Sequence, residues 1–317
     1  MAKTLKTRFD NAMISQRARP EILAMGGYLS ARSVEKSNSG AIFLDANECA
    51  FEPFIGAQNL SRYPEQQPTV LQEAVCRWLD ASKRHITITR GADEAIDCLV
   101  RTFCVPGQDN IVICPPTFAM YAQSAALQNA EVRQAKLDSK FDLNVKLINQ
   151  ITDKSTKIIF VCSPNNPTAN LMNRARILQL CSDYAETALV VVDETYVEFA
   201  DSESLIPCLD SHANLVILRT LSKSHAAAGL RCGVAVARSD VTELLQKVLA
   251  PYPLAQPVVD AALTILSAQS QSGLAAKRRD IVTRRDQVAA TLAACAEIVE
   301  VLPSDANYLL VRVKDAA

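Results

Sequence analysis

The chain has 317 residues, of which 49% are hydrophobic and 21% charged, so it is long enough for one large domain or two and has the composition of a globular protein. Lys and Arg total 33 against 34 Asp and Glu, a net charge of -1, which gives no electrostatic indication of a nucleic-acid or membrane partner. Glycine is scarce, at 9 residues, and no GxGxxG motif occurs, so a dinucleotide-binding site has little support.

Ten cysteines are scattered along the sequence without a CxxC pair, and only three histidines accompany them. Several of these cysteines lie in apolar runs, where the residue behaves as a small buried hydrophobe, so a zinc site is not expected. The N-terminal residues contain no apolar leader segment, and no run is long enough to cross a bilayer. We therefore expect a cytoplasmic protein with reduced thiols and no bound metal.

From about residue 69 the chain alternates helical and strand patterns. Apolar residues at helical spacing predict helices over 69–83, 91–104, 117–129 and 173–186. Runs of β-branched and aliphatic residues predict strands over 85–89, 110–116, 156–164, 188–194, 214–220 and 232–238. Strands that are apolar throughout and separated by helices are typical of a mostly parallel sheet covered on both faces. The sequence thus predicts an α/β fold.

The pattern changes after residue 253. Residues 256–296 predict two long helices, of which the second carries the basic sequence KRRDIVTRRDQ on its exposed side, and the last residues predict two strands around a turn. We expect three parts, namely an N-terminal arm of residues 1–44, a large domain of residues 45–253 and a smaller α+β domain of residues 254–317.

Polar side chains follow the predicted strands at the points where the strands end. Ligands of open α/β sheets bind at the carboxyl ends of the strands, so these side chains are candidates for a site: Asp93, Tyr121, Asn166, Asp193, Tyr196, Ser222, Lys223 and Arg231. A lysine can form a Schiff base, a carboxylate can keep a pyridine nitrogen protonated, and a hydroxyl with a guanidinium can bind a phosphate. A pyridoxal phosphate site needs this combination.

Ten short motifs extend the match along almost the whole chain. They are GYLSAR (27–32), LDANE (44–48), RYPEQQP (62–68), RGADEAID (90–97), CPPTFAMY (114–121), VCSPNNPT (161–168), VVDETYVEF (191–199), LRTLSKSHAAAGLRCG (218–233), APYPL (250–254) and ANYLLVR (306–312). In this order they resemble the class I/II aminotransferases, pyridoxal-phosphate-dependent enzymes of fold type I, and within them the histidinol-phosphate aminotransferases. The resemblance implies a large domain with a mostly parallel sheet covered by helices, plus a smaller α+β domain.

The resemblance also implies how the candidate residues bind pyridoxal 5'-phosphate. Lys223 would bond to the cofactor and act as the base that moves the substrate proton, while Asp193 would pair with the ring nitrogen. Tyr196 and Asn166 would hydrogen-bond the 3'-oxygen of the cofactor, and Tyr121 would stack on its ring. Lys223, Asp193 and Tyr196 would be the catalytic residues.

For the phosphate group, the resemblance implies the backbone N–H groups of Ala92 and Asp93 together with Ser222 and Arg231. The start of a helix offers free N–H donors and a favourable dipole to an anion. Tyr63 would reach the phosphate from the partner subunit, which implies a homodimer.

Tyr28, in the arm, and Asn166 would line the substrate pocket. The implied reaction is amino transfer between L-histidinol phosphate and 2-oxoglutarate, giving imidazole acetol phosphate and L-glutamate, a step of histidine biosynthesis. Three alternatives stay open, namely an aromatic or broad-specificity aminotransferase, a related pyridoxal-phosphate-dependent decarboxylase, and a dimeric scaffold that binds the cofactor but is inactive.

Two motifs depart from the family's pattern. Ala169 stands where a glycine usually closes NNPTG, and Cys49–Ala50 replace the usual continuation of DANEN-P. We expect these changes to affect the shape of loops rather than the chemistry. The family normally continues beyond ANYLLVRV into a segment whose arginines bind the substrate anion, so we expect those arginines beyond Ala317.

Overall fold

The computed structural model describes residues 14–25 and 60–314. Outside the described residues lie most of the predicted arm and the motifs at 27–32 and 44–48. Tyr28, expected in the substrate pocket, also lies outside them. The expected domain boundaries at residues 44 and 253 stay predictions.

A seven-stranded sheet forms the centre of the described structure. Its strands are, in chain order, β1 (Ile86–Thr89), β2 (Asn110–Ile113), β3 (Glu131–Gln134), β4 (Thr156–Cys162), β5 (Leu189–Asp193), β6 (Leu215–Thr220) and β7 (Gly233–Val236). Across the sheet they follow the order β1-β7-β6-β5-β4-β2-β3. Neighbouring strands from β6 to β3 are parallel, whereas β7 is antiparallel to both β1 and β6. The predicted α/β fold with a mostly parallel sheet is confirmed.

Helices cover both faces of this sheet. In the described ranges they are α1 (Pro20–Ala24), α2 (Thr69–Leu79), α3 (Gly91–Phe103), α4 (Met120–Leu127), α5 (Val145–Ile151), α6 (Arg174–Asp183), α7 (Ser239–Val248), α8 (Gln256–Ile265) and α9 (Ala268–Ala293). The sequence analysis did not predict α1, α5, α7 or β3. The strand β3 was missed because it lies at the edge of the sheet, where its residues EVRQ are half-exposed and polar.

Alternation of side chains along the strands divides the core into two clusters. In β5, Val190 and Val192 pack with side chains of α2, α6 and α8, whereas Leu189 and Val191 pack with side chains of α3, α4 and α7. All four are fully buried, and burying such a side chain stabilises the fold by about 1.5–3 kcal/mol. Because successive residues of a strand point to opposite faces, this pattern directs Asp193 toward the face that carries α3.

The C-terminal part contains α8 and α9, followed by an antiparallel pair of strands, β8 (Ile298–Val301) and β9 (Val311–Val313). The two helices and two strands expected there are confirmed. One side of α9 contacts β8 and the short helix Val197–Phe199, which follows β5. Within the two described ranges, no helix is long and apolar enough to cross a membrane.

Gly233, the first residue of β7, allows the start of α3 to approach the sheet. A Cβ atom at this position would lie 2.4 Å from the carbonyl carbon of Gly91 and 2.6 Å from the backbone nitrogen of Ala92. Gly91 itself has a φ of +79° and would place a Cβ atom 2.6 Å from Nη2 of Arg231. Gly233 is needed because the backbone atoms of α3 cannot move aside as the end of a side chain can, whereas Gly91 is needed for its positive φ, which residues with a Cβ atom rarely adopt.

We expect Gly233→Ala to displace the start of α3 and to lower the free energy of unfolding by about 1–3 kcal/mol, the usual cost of overpacking. Gly273→Ala is the matched control, since nothing lies within 4 Å of its added methyl group and alanine favours the interior of α9 by about 0.5–1 kcal/mol. Urea unfolding of both variants tests this, and equal stability of the two would contradict the close approach.

Candidate active site

A cavity of about 160 Å³ opens at the carboxyl ends of the central strands β4, β5 and β6. Its walls come from these strand ends, from the start of α3 and from the loop between β6 and β7. The lining residues are Ala92, Asp93, Phe118, Cys162, Asn166, Asp193, Thr195, Tyr196, Thr220, Ser222, Lys223, Ala228 and Arg231. The structure therefore brings together most of the candidates found in the sequence.

Asp193 ends β5 and lies at the bottom of the cavity with 3% of its surface exposed. Its Oδ2 accepts a hydrogen bond of 2.9 Å from the hydroxyl of Tyr121, and its Oδ1 accepts one of 3.0 Å from the backbone N–H of Thr195. Burial raises the pKa of this carboxyl group, and the two hydrogen bonds oppose the rise. Because both donors are neutral, a cation placed in the cavity would stabilise the carboxylate further.

Tyr121 is not among the residues that line the cavity, so the structure does not place it against a ligand and its expected stacking on a cofactor ring stays a prediction. The residue is fully buried in the first turn of α4, and its ring stacks on that of Phe160 at 4.7 Å. Its hydroxyl instead positions Asp193. Phe118, in the loop before α4, forms the cavity wall and meets Tyr121 edge to face at 5.6 Å.

Lys223 also lines the cavity, in the loop that follows β6. Its Nζ atom lies 5.7 Å from the centre of the Tyr196 ring, a distance at which a cation is attracted to the face of the ring. Burial raises the pKa of Tyr196 to about 12, and Asn166 opposes the rise. The phenol of Tyr196 is therefore protonated at neutral pH and can donate a hydrogen bond toward the cavity.

Arg231, Ser222 and Asp93 meet where α3 begins. Arg231 reaches this point from the other end of the β6–β7 loop, with Nη1 3.3 Å from Oγ of Ser222 and Nη2 3.0 Å from Oδ2 of Asp93. The ion pair with Asp93 is about half-exposed on both sides, so it contributes at most about 1 kcal/mol. An incoming phosphate could thus bind Arg231, Ser222 and the free N–H groups of α3 at little cost.

One expected contributor, Tyr63, lies away from this cavity. Tyr63 is half-exposed, and its ring stacks on Tyr252 of the same chain at 4.4 Å. It is absent from the residues that line the cavity, so its expected contact with a phosphate requires a partner subunit. Tyr28 is outside the described residues.

The sequence analysis missed several residues of the cavity wall, notably Phe118, Thr195 and Thr220. Phe118 belongs to the same CPPTFAMY motif as Tyr121. The motif therefore indicated an aromatic residue at the cavity but not which of the two it is. The hydroxyl of Thr220 accepts a hydrogen bond from the N–H of Ser222 and donates one of 2.9 Å to its Oγ. Thr220 thereby fixes the start of the loop.

Among residues 14–25 and 60–314, no group of three or more metal-ligating side chains is present.

Comparison with known proteins places this site in a family. The sequence pattern of aminotransferase class I and II matches residues 42–317, and the chain belongs to this family. Histidinol-phosphate aminotransferase from Pectobacterium carotovorum subsp. carotovorum is 42% identical over 301 residues, which cover 94% of this chain and 84% of that protein.

Solved structures show the same fold. Histidinol-phosphate aminotransferase from Sinorhizobium meliloti, in complex with pyridoxal-5'-phosphate, has a TM-score of 0.74 and 22% identity, covering 81% of this chain and 69% of that one. The corresponding enzyme from Clostridium acetobutylicum has a TM-score of 0.73 and 20% identity, covering 81% and 76%.

The environment of Asp193 predicts a pH-dependent effect on the stability of the ligand-free protein. Because burial raises the pKa of the carboxyl group, the folded chain binds this proton more tightly than the unfolded chain. The contribution of Asp193 to stability is therefore full below about 3.9, the usual aspartate pKa, and is lost as the pH rises through the raised pKa of the folded chain. Asp193→Asn carries no charge, so we expect this variant to be more stable than wild type at neutral pH, with the difference vanishing in acid.

Urea unfolding at several pH values measures this difference. Asp201→Asn, at an exposed position, is the control and should leave the stability unchanged. If Asp193→Asn were instead less stable than wild type at neutral pH, the carboxylate would have to be fully compensated in the ligand-free fold.

Proposed function

We propose that this chain catalyses amino transfer between L-histidinol phosphate and 2-oxoglutarate, giving imidazole acetol phosphate and L-glutamate, with pyridoxal 5'-phosphate as cofactor. This reaction is a step of histidine biosynthesis. The observation that carries the proposal is the 42% identity to a histidinol-phosphate aminotransferase over 94% of the chain, together with a cavity that holds Lys223 and Asp193.

The cavity fits the cofactor on chemical grounds. Asp193 is a buried carboxylate without a cationic donor, which suits a protonated ring nitrogen. The start of α3, Ser222 and Arg231 bring together the donors that a phosphate would need. Bound pyridoxal phosphate supplies a carbon that bonds to amines and a ring that withdraws electrons from the substrate. Lys223, which lines the same cavity, supplies such an amine.

Each residue then has a definite task. Asp193, oriented by Tyr121 and Thr195, would hold the proton at the ring nitrogen. Lys223 would bond to the cofactor and then, once the amino donor displaces it, move the proton at the α-carbon of the donor as a general base.

Further residues would bind the rest of the cofactor. Tyr196 and Asn166 would hydrogen-bond the 3'-oxygen, and the N–H groups of Ala92 and Asp93 would bind the phosphate beside Ser222 and Arg231. Phe118, in place of Tyr121, would contact the face of the ring. Asn166 and Tyr28 are the proposed substrate contacts, and the cytoplasm, where thiols stay reduced, is the proposed location.

Lys223→Ala should reduce turnover by several orders of magnitude, because the covalent and general-base roles are lost together. Glutamate formation from histidinol phosphate and 2-oxoglutarate is the measurement. Lys277→Ala, at an exposed position of α9, is the control and should match wild type. Retention of activity by Lys223→Ala would remove the proposed role.

The same assay separates the alternatives. An aromatic or broad-specificity aminotransferase would prefer other amino donors over histidinol phosphate. A decarboxylase would release carbon dioxide without consuming 2-oxoglutarate. An inactive scaffold would bind the cofactor without transferring an amino group from glutamate to it.

We further propose a homodimer in which Tyr63 reaches the phosphate of the partner's cofactor. Its support is the half-exposed position of Tyr63 outside the cavity of its own chain and the resemblance of RYPE to the family motif. A hydrogen bond to a charged group contributes about 1.5–3 kcal/mol, so Tyr63→Phe should weaken cofactor affinity by about 10- to 100-fold.

Titration of the cofactor into cofactor-free protein measures this change, with sedimentation to determine the oligomeric state. Tyr252→Phe is the control, because it keeps the aromatic partner of Tyr63 and alters no proposed phosphate ligand. A monomer that binds the cofactor normally, or an unchanged affinity of Tyr63→Phe, would contradict the proposal.

A further inference from the structure

A short C-terminal segment, residues 304–308, is bound tightly to the loop that carries Asn166. The N–H of Asp305 donates to the carbonyl of Ala169 at 2.7 Å, and Oδ2 of Asp305 accepts from the N–H of Leu171 at 2.8 Å. The hydroxyl of Tyr308 donates to the carbonyl of Asn165 at 2.7 Å. Three hydrogen bonds therefore join parts of the chain that are far apart in sequence.

The helix α9 and hydrogen bonds within the segment also fix residues 304–308 in place. Nη1 of Arg285, on α9, donates to the carbonyl of Ala306 at 2.7 Å, and the side chain of Arg285 is 11% exposed. Within the segment, Oγ of Ser304 donates to the carbonyl of Tyr308 at 2.6 Å. These contacts leave Tyr308 little freedom to move, so it can act as a fixed support.

Asn165, which accepts the Tyr308 hydroxyl, organises the loop beneath the cavity. Its side chain is fully buried, and it accepts from the hydroxyl of Thr117 at 2.9 Å and donates to the carbonyl of Pro116 at 2.8 Å. Its carbonyl also accepts from the N–H of Ala169 at 2.7 Å. A shift of this peptide would move the next residue, Asn166, which lines the cavity.

Tyr308 touches a second residue of the site directly. The edge of its ring packs on Tyr196 at 5.3 Å with an angle of 78°. Burial raises the pKa of Tyr308, and the neighbouring Tyr196, Cys162 and Asp193 raise it further. Its hydroxyl therefore stays protonated and remains a donor to Asn165 at any pH at which the protein works.

We propose that Tyr308 is a positioning residue, which holds Asn166 through the carbonyl of Asn165 and holds Tyr196 through its ring, so that both side chains reach the 3'-oxygen of the cofactor together. The proposal rests on the proposed function for the identity of the cofactor. By this route the C-terminal part of the chain would influence the cofactor indirectly. Among the described residues, none after Arg231 lines the cavity.

The test is the Tyr308→Phe variant of the cofactor-bound protein. Weaker hydrogen bonds to the 3'-oxygen leave more negative charge on it, and that charge retains the neighbouring proton on the lysine nitrogen. The pH at which the visible absorption of the bound cofactor changes should therefore rise, by about 0.3–1 unit. Tyr184→Phe is the matched control, since its hydroxyl donates to Oδ1 of Asn149 at 2.8 Å at an exposed position, and it should cause no rise.

A double-mutant cycle identifies the route of the effect. If the Tyr308 hydroxyl acts through Asn166, adding Tyr308→Phe to Asn166→Ala should raise that pH by less than it does in the wild-type background. An equal rise in both backgrounds, or a Tyr308→Phe titration that matches wild type, would overturn the proposal. Thermal unfolding of the cofactor-free variants is measured alongside, because a purely structural role would lower stability without moving the absorption change.

This experiment is independent of the amino donor. The absorption titration needs bound cofactor but no histidinol phosphate, so it remains decisive if the wild-type chain prefers another substrate. Failure of the wild-type chain to bind pyridoxal phosphate would overturn both this proposal and the proposed function, whereas a failure confined to Tyr308→Phe would overturn this proposal alone.

Discussion

The burial of one carboxylate, Asp193, is the constraint on which the site depends. The residue ends the central strand β5, where it pairs with Cys162 of β4 on one side and Leu218 of β6 on the other. Water has little access at this position, so the charged form is unfavourable without a cation. The charged form of Asp193 therefore destabilises the ligand-free protein, and a protonated ring nitrogen would remove this destabilisation. The same ion pair would both bind the cofactor and keep its ring nitrogen protonated for the reaction.

The direction of the strands explains why the other residues gather there. β4, β5 and β6 run parallel, so their carboxyl ends meet at one edge of the sheet. β7 runs antiparallel to β6, so the loop between them both leaves from and returns to that edge. Ser222 and Lys223 lie at the start of this loop and Arg231 near its end. A parallel β7 would have carried Arg231 to the opposite edge.

The sequence was sufficient where burial or motif order controls the structure. The strands around Val190 and Ile217 are apolar throughout, so they could be predicted, and Lys223 and Asp193 follow from the ends of those strands. Local geometry was harder to predict. Tyr121 and Phe118 are three residues apart in one motif, and the motif does not indicate which of them lines the cavity. The polar edge strand β3 had no apolar run to indicate it, and the contact between Tyr308 and Asn165 joins two distant motifs.

The loop under the cavity shows how local strain is offset by its neighbours. Ala169 adopts a φ of +66°, a conformation that costs a residue with a Cβ atom about 1–2 kcal/mol. Its methyl group is fully buried against Tyr196, Phe199 and Ala306, and this burial stabilises the loop by about 0.8 kcal/mol. Its carbonyl accepts a hydrogen bond from the N–H of Asp305, which contributes about 1 kcal/mol. Both compensating contacts involve the segment around Tyr308. An alanine is therefore tolerated at this position because the C-terminal part of the chain holds the loop in place.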